Sequence, residues 1–178
     1  MSTVIGLSGS LRAGSSNAGL LRAAARLRPE WSFRFYDQEL GQLPCFSPEL
    51  DGEGAIPPPA VATFRALLAG ADGVIISCPE YAHGVPGAFK NALDWLVSSG
   101  ELSGKPTVVF MASPSGAEFA RAALIPTLEV IETKLVFVES LRFARSHLDA
   151  DGRLNNAAIE STVAAGLEAL GVAMKSVS

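Results

Sequence analysis

The sequence alternates short apolar runs with amphipathic segments, and this alternation limits the fold more than any other feature. Five apolar runs are predicted to form strands, at residues 3–8, 31–36, 73–78, 106–111 and 135–138. A segment with helical spacing of its apolar residues follows each run. Strands that alternate with helices in this way form a parallel sheet with helices on both faces. The chain is therefore predicted to be an α/β protein.

Five helices are predicted, from residue 16 or 17 to 27 and at residues 61–68, 86–97, 119–131 and 156–174. The fourth is expected to be interrupted near Pro126, because a proline inside a helix removes a hydrogen bond. Residues 37–59 contain five prolines, which predicts a long irregular surface segment or a lid. A length of 178 residues favours a single domain spanning residues 1–178.

Five strand–helix units fit a flavodoxin-like three-layer sandwich, with a five-stranded parallel sheet in the order 2-1-3-4-5. In that order strand 2 lies on one side of strand 1 and strands 3 to 5 lie on the other, so the strand order reverses between strands 1 and 3. Open α/β sheets bind their ligands in the crevice at this point. The loops that follow strands 1 and 3 are therefore expected to lie side by side and to form the ligand site.

Net charge, cysteine content and the length of the apolar runs limit which partners the protein can bind and which compartment it occupies. The net charge of −4 argues against a nucleic-acid polymer as partner, because phosphate backbones recruit clustered lysine and arginine. Cys45 and Cys78 show neither metal-binding spacing nor a disulfide framework, which favours a reducing compartment. The first residues lack the features of a signal peptide, and no apolar run approaches the roughly 20 residues of a membrane helix. We expect a cytoplasmic protein that does not associate with a membrane.

The loop after the first strand has the composition of a phosphate site. It combines glycines and hydroxyls with Arg12, and it leads into a helix whose first N–H groups and dipole favour an anion. Arg12 can donate two charge-assisted hydrogen bonds, and Ser10, Ser15 and Asn17 supply further donors. The loop matches neither the P-loop nor the dinucleotide-binding glycine motif. The alternative is that Ser15 or Asn17 only caps the helix and that Arg12 lies in solvent.

The loop of residues 79–84 follows the third strand and is predicted to form the other half of the site. It is polar and leads into a helix with Pro86 at the first helical position. Tyr81 is favoured over Trp95 as an aromatic contact for a ligand. His83 either contacts the ligand or lies free in the loop, and both interpretations stay open. Cys78 is predicted to be a small core residue.

With both loops considered, the sequence resembles the NAD(P)H-dependent FMN reductase family, which includes quinone, azo-dye and chromate reductases. The first loop contributes Gly9-Ser10-Leu11-Arg12, followed by Ser15 and Asn17. The second contributes Pro79-Glu80-Tyr81, Val85-Pro86-Gly87 and Lys90-Asn91-Ala92-Leu93-Asp94-Trp95. The order of elements agrees with the family over nearly the whole chain.

The resemblance implies a single FMN-binding reductase domain in which the first loop holds the FMN phosphate. It implies that the backbone of residues 79–84 lines the isoalloxazine ring, and that the loop of residues 112–116 flanks the ring on its other side. No metal and no catalytic side chain is implied. The cofactor-binding residues expected on this basis are Ser10, Arg12, Ser15, Asn17, Pro79, Glu80, Tyr81, Ala82, His83, Gly84, Ser113 and Gly116.

The resemblance also implies an activity. Bound FMN would take a hydride from NADPH or NADH and pass electrons to a quinone, a free flavin or a similar small-molecule acceptor. Members of the family are homodimers or homotetramers with sites near subunit contacts. The alternative is a flavodoxin-like electron carrier or flavin-binding protein without nicotinamide turnover.

Two positions depart from the family pattern. Ala82 stands where the family often has asparagine, so contacts with the ring at this position would come from the backbone. Residues 117–119 follow Gly116 where the family often has a glycine pair. Neither departure touches the predicted phosphate site.

Overall fold

A computed structural model describes residues 1–52 and 54–176. Its five parallel strands form one sheet in the order β2-β1-β3-β4-β5, as the sequence predicts. The central strands β3 and β4 are buried along their whole length, which explains why both are continuous apolar runs. The strands are β1 (Thr3–Ser8), β2 (Ser32–Tyr36), β3 (Gly73–Cys78), β4 (Pro106–Ser113) and β5 (Lys134–Arg142).

Helices cover both faces of the sheet and form two separate apolar cores. One core contains Phe64, Phe89 and Leu124 from α2, α3 and α4, and the other contains Leu20 and Leu167 from α1 and α5. The predicted three-layer α/β sandwich is therefore confirmed. The helices are α1 (Ser16–Arg26), α2 (Pro59–Ala69), α3 (Gly87–Asp94), α4 (Glu118–Val130) and α5 (Ala157–Lys175).

Two strands extend further toward the carboxyl edge than their apolar runs predict. β4 continues to Ser113, and β5 continues to Arg142, with these two residues paired. β5 is an edge strand, so polar residues such as Glu139 and Ser140 continue it without cost to the core. The extension carries the chain after β5 to the same edge at which the predicted loops lie.

Helix boundaries differ from the expected ones where proline is involved. Pro86 is the N-cap of α3 rather than its first residue, and the helix ends at Asp94. α4 runs without interruption through Pro126. Leu124 and Leu128 lie on either side of this proline and are fully buried, and their packing compensates for the missing N–H.

α5 has the length and the mean hydropathy of a helix that could cross a membrane. Its 19 residues come close to the length of a membrane helix, which the sequence analysis did not expect of any segment. In the fold, however, Val163, Leu167 and Leu170 are fully buried in the core that α5 shares with the sheet. Core helices of soluble proteins meet the same length and hydropathy criteria.

The proline-rich segment before α2 is tied to the body of the protein. It contains two short 3₁₀ helices, Gln38–Gln42 and Pro48–Leu50. The indole N–H of Trp95 donates to the carbonyl of Pro44 at 2.9 Å, and Asn91 accepts from the N–H of Phe46 at 2.8 Å. These contacts with the α3 region make the segment an anchored surface layer, so the interpretation as irregular surface is favoured over a mobile lid.

A second anchor of this segment has a pH dependence that can be measured. Asp51 and Arg65 form an ion pair of 2.6 Å whose side chains are 6% and 14% exposed. Burial raises the pKa of Asp51, but hydrogen bonds from Ser98 and Arg65 and the charge of Arg65 outweigh it, so the pKa of Asp51 is lowered overall. Because the folded-state pKa is lowered, the stabilisation is present above the unfolded value of 3.8 and is lost as the pH falls through the folded value.

We therefore expect Asp51→Asn to lower the free energy of unfolding by about 1–2 kcal/mol at pH 7, the difference between charged and neutral hydrogen bonds. The difference in unfolding free energy between wild type and variant should shrink as the pH falls below 3.8, and it should close only below the lowered folded-state pKa of Asp51, where the carboxyl is neutral in both states. Urea denaturation of both proteins at a series of pH values measures this gap. A gap that does not change with pH would contradict the role given to the carboxylate.

Candidate functional site

A cavity of 340 Å³ opens at the carboxyl edge of the sheet, where strand order reverses between β1 and β3. This is the place where open α/β sheets bind ligands, and the volume falls within the range of small-molecule sites. We call it the edge cavity. Its lining residues are Ser10, Arg12, Gly14, Ser15, Ser16, Asn17, Pro79, Glu80, Tyr81, Ala112, Ser113, Pro114, Ala144 and Arg145.

The amino end of α1 forms one wall and presents unpaired donors. Ser15 is the N-cap, and its hydroxyl oxygen accepts from the N–H groups of Asn17 and Ala18 at 3.2 and 3.4 Å, which leaves its own hydrogen free. The backbone N–H groups of Gly14 and Ser16 have no acceptor among the residues that the structure describes. Such groups, together with the positive end of a helix dipole, attract an anion.

Arg12 adds a full positive charge to this wall. Its side chain is exposed and lines the edge cavity. Within residues 1–52 and 54–176, its guanidinium has neither an ion-pair nor a hydrogen-bond partner. An unpaired guanidinium beside free amide donors suits a phosphate group, which can accept two parallel hydrogen bonds from it.

Asn17 holds this wall in place. Its side chain is buried, donates to the carbonyl of Ala112 at 3.1 Å and accepts from the hydroxyl of Ser77 at 2.7 Å. The amide thus joins the start of α1 to β3 and β4. Sequence reasoning gave Asn17 a contact with phosphate, whereas the structure shows a side chain whose observed bonds position the neighbouring donors.

The loops after β1 and β3 lie side by side, which confirms the expectation from the strand order. The N–H of Gly9 donates to the carbonyl of Ser77 at 2.9 Å, and the hydroxyls of Ser10 and Tyr81 are 2.8 Å apart. A Cβ atom on Gly9 would lie 3.1 Å from Pro79, so this close approach favours glycine. The ring of Tyr81 stays half exposed at the mouth of the edge cavity, whereas Trp95 is fully buried elsewhere.

Ala82 and His83 form the tip of a tight hairpin outside the walls of the edge cavity. Tyr81 and Gly84 exchange backbone hydrogen bonds of 3.1 and 3.0 Å across the tip. Both tip residues have positive φ, 49° for Ala82 and 59° for His83, as a type I′ turn requires. Asparagine tolerates this conformation better than alanine does, which gives a physical reason for the asparagine that the resemblance leads one to expect at position 82.

We expect Ala82→Asn to raise the free energy of unfolding by about 1 kcal/mol, because alanine in the left-handed region is strained. Ala82→Gly should raise it by a similar amount through relief of the same strain. Thermal or urea denaturation measures both changes. If both substitutions lower the stability, the left-handed turn at residues 82 and 83 is wrong.

Glu80 lines the edge cavity, but its carboxylate is directed to another helix. One oxygen accepts from the N–H of Ala120, in the first turn of α4, at 3.0 Å. The N-cap of α4 is Ala117, which has no side-chain acceptor and has a φ of 59°. Glu80 therefore caps α4 from a distance and fixes the loop of residues 79–84 against it.

The loop after β4 also contributes to the edge cavity, but only part of it reaches the lining. Ser113 lines the wall, and its hydroxyl lies 3.0 Å from that of Ser115. Gly116 lies outside the wall and has a φ of 99°, a conformation that glycine adopts readily at the turn into α4. Of the twelve expected residues, Ala82, His83, Gly84 and Gly116 are those outside the cavity walls.

Some lining residues were not predicted from the sequence. Gly14 and Ser16 belong to the expected loop and could have been included as backbone donors. Ala144 and Arg145 come from the chain after β5 and reach the cavity only because that strand is longer than its apolar run. A basic residue a few positions after the last strand was the available signal for Arg145.

Cys78 offers no nucleophile to the site. Burial raises the pKa of its thiol, and the sulfur donates to the carbonyl of Pro79 at 3.3 Å. A neutral thiol that is fully buried behaves as a core residue. Among the residues described, no group of three or more His, Cys, Asp or Glu side chains is arranged to hold a metal ion.

Comparison with known proteins agrees with this geometry. An NAD(P)H-dependent FMN reductase of Pseudomonas aeruginosa is 33% identical over 174 residues, 94% of this chain and 92% of that protein. A quinone reductase of Pseudomonas putida is 34% identical over 163 residues, 83% of this chain and 82% of that protein. The solved structure of FerB, a flavoenzyme NAD(P)H:(acceptor) oxidoreductase from Paracoccus denitrificans, has a TM-score of 0.79 and 26% identity, covering 97% of this chain and 98% of that one.

A family model described as NADPH-dependent FMN reductase matches residues 2–147, which include every strand and the whole edge cavity. The expected enzyme class, an oxidoreductase that uses FMN and NAD(P)H, is confirmed by this match. The resemblance found from the two loops is likewise confirmed. The chain belongs to the NADPH-dependent FMN reductase family.

Proposed function

We propose that the edge cavity holds FMN, with the phosphate at the amino end of α1 and the ring against residues 79–84. The observation that carries this assignment is the set of unpaired donors on one wall: the N–H groups of Gly14 and Ser16 and the guanidinium of Arg12. A phosphate monoester is dianionic or nearly so near neutral pH, and these donors match its charge and its oxygens.

The acidic groups near the cavity do not oppose a phosphate there. Residues 1–29 contain no aspartate or glutamate. The carboxylate of Glu80 is held by the N–H of Ala120, which directs its charge to the positive end of α4. The residues present therefore fit the phosphate end of FMN.

The hairpin of residues 79–84, at the end of the cavity proposed for the ring, offers unpaired backbone donors. The N–H groups of Tyr81 and Gly84 are used within the hairpin, whereas those of Glu80, Ala82 and His83 have no acceptor in the described part of the chain. Free amides of this kind stabilise negative charge on a bound ring system. Of these three residues Glu80 lines the cavity, whereas Ala82 and His83 lie at the hairpin tip outside its walls, so their N–H groups are available only to a ring that extends past the mouth.

When bound, FMN supplies the redox chemistry, by accepting a hydride from NAD(P)H and passing electrons to an acceptor. The chain's own residues bind and orient the cofactor: Arg12 and the α1 amides fix the phosphate, and Tyr81 is held by Ser10 at the mouth. The mouth is open to solvent on the side of Tyr81, which is 51% exposed. An open mouth suits a donor and a small acceptor that enter in turn, and we infer that a quinone or a free flavin is the acceptor.

Steady oxidation of NADH or NADPH by the FMN-loaded protein, with a benzoquinone or free FMN as acceptor, tests this function. We expect many turnovers per chain, with initial rates that follow a ping-pong pattern. A protein that binds FMN yet does not turn over with either nucleotide would be an electron carrier, and the proposed activity would be wrong.

We infer that the protein assembles as a homodimer or homotetramer through the rim of the edge cavity. Tyr81 lines the cavity and is 51% exposed, and Leu11 and Phe119, in the segments next to the lining loops, are 43% and 57% exposed. The rings of His83 and Phe119 stack at 4.4 Å, which keeps an aromatic surface in place. Exposed apolar surface beside a site is typical of subunit contacts. Light scattering of wild type and Phe119→Glu checks the assignment, since the variant should shift toward monomer.

We also infer that residues 1–178 act as one FMN-binding reductase domain in the cytoplasm. One sheet contains all the strands of the described residues, and both of its faces are covered by helices. Cys45 and Cys78 are both free thiols, as expected in a reducing compartment.

A further inference from the structure

A second cavity lies next to the edge cavity and is lined by arginine. It has a volume of 460 Å³ and runs beside α1 between residues 37–38 and residues 145–152. Four arginines line it, Arg12, Arg22, Arg26 and Arg145. We call it the arginine groove. Its volume alone falls within the range of small-molecule sites.

The charges in the arginine groove are only partly neutralised. Its acidic lining residues are Asp37 and Asp151, and Asp37 is paired with Arg22 at 2.7 Å. The guanidinium of Arg26 has no ion-pair or hydrogen-bond partner in residues 1–52 and 54–176. Arg22 and Arg26 lie one helical turn apart, a like-charge spacing that disfavours the helix. The groove thus carries a net positive charge in a chain whose net charge is −4.

The two cavities share a boundary at the proposed phosphate position. Arg12, Gly14, Ser15 and Arg145 line both of them. Since a helix rises 1.5 Å per residue, Arg22 and Arg26 lie roughly 10 and 16 Å along α1 from Ser15. Ala18, Gly19 and Leu148 line the groove between these points, with the side chain of Leu148 packed against Gly19. A ligand that begins with a phosphate at the start of α1 can therefore continue along the helix toward a second, positively charged site at Arg22 and Arg26.

We propose that the arginine groove binds the adenylate half of a flavin dinucleotide, so that the protein accepts FAD as well as FMN. This inference rests on the proposed FMN site. The first phosphate of FAD would bind at the amino end of α1, and the second would contact Arg12 and Arg145. The adenosine would lie toward Arg22 and Arg26. Guanidinium groups bind phosphate and stack on flat rings, which suits both parts of an adenylate group.

Fluorescence titration of the apoprotein with FMN and with FAD, in wild type, Arg26→Ala and Arg28→Ala, tests the inference. Arg26 is exposed on α1, where alanine is a good helix former, so the variant should fold. Arg28 is the matched control, because its guanidinium lies 3.8 Å from Glu30 and over the ring of Trp31, outside the groove. A third titration adds adenosine 2′,5′-bisphosphate to the FMN-loaded protein, to represent the adenosine end of NADPH.

We expect wild type to bind FAD at least as tightly as FMN. Arg26→Ala should raise the FAD Kd relative to the FMN Kd about tenfold, and Arg28→Ala should leave this ratio unchanged. FMN binding without FAD binding would overturn the groove assignment and leave the FMN site standing. The assignment would also be overturned if Arg26→Ala left the ratio of the FAD Kd to the FMN Kd unchanged. The same holds if Arg26→Ala weakened only the binding of adenosine 2′,5′-bisphosphate. If the wild-type apoprotein does not bind FMN, the proposed function itself is contradicted.

Discussion

Replacing Arg12 with alanine is expected to weaken FMN binding by about 1.5–3 kcal/mol, roughly 10- to 150-fold in Kd. The guanidinium is unpaired and faces the edge cavity beside the free N–H groups of Gly14 and Ser16. Its removal takes away a charge and up to two charge-assisted hydrogen bonds with the phosphate. Because the side chain is exposed and has no partner in the described structure, the fold itself should keep its stability.

Titration of the apoprotein with FMN measures the change, and urea denaturation shows that the fold is intact. Arg28→Ala serves as a control, since it removes the same charge from the surface near Trp31 rather than from the cavity. Equal FMN affinities for wild type and Arg12→Ala would exclude Arg12 from the phosphate site. An equal loss in both variants would indicate a general charge effect instead of a local contact.

Replacing Asn17 with alanine should lower the free energy of unfolding by about 2–4 kcal/mol, since each buried partner left unsatisfied costs roughly 1–3 kcal/mol. The side chain is 3% exposed and bonds to both Ser77 and Ala112. The loss also releases the start of α1 from β3 and β4. FMN affinity should therefore fall, even though the observed side-chain bonds of Asn17 are made within the protein.

A double-mutant cycle with Ser77→Ala separates this role from a direct contact with FMN. Ser77 is fully buried and donates to Asn17 at 2.7 Å. We expect the two substitutions to be non-additive in unfolding free energy by more than about 0.5 kcal/mol, as for residues in one hydrogen-bond network. Additive effects on stability, combined with a loss of FMN affinity only in Asn17→Ala, would give Asn17 a direct contact with the cofactor.

The phosphate wall was predictable because its signals are local in sequence. Glycines, hydroxyls and Arg12 lie directly before a helix, so their chemistry follows from the order of residues alone. The parallel sheet was predictable for a similar reason, since the buried runs of β3 and β4 alternate with helical segments, and its order followed from the flavodoxin-like arrangement that five such units fit. These two inferences place the loops after β1 and β3 together before any contact is known.

Long-range contacts were not predictable in the same way. Nothing near Glu80 in the sequence indicates that its carboxylate caps α4, because Ala120 is 40 residues away. The bonds of Asn17 depend on the ends of two strands that are distant in sequence. Arg145 reaches the site only through the polar end of an edge strand, where hydrophobic periodicity carries no signal.

The measurement that tests the central claim most directly is a paired titration of the apoprotein with FMN and with riboflavin, which differ only in the phosphate. If the amino end of α1 and Arg12 hold that phosphate, FMN should bind with one equivalent per chain and at least about tenfold more tightly than riboflavin. Equal affinities for the two flavins, or no binding of FMN, would contradict the account.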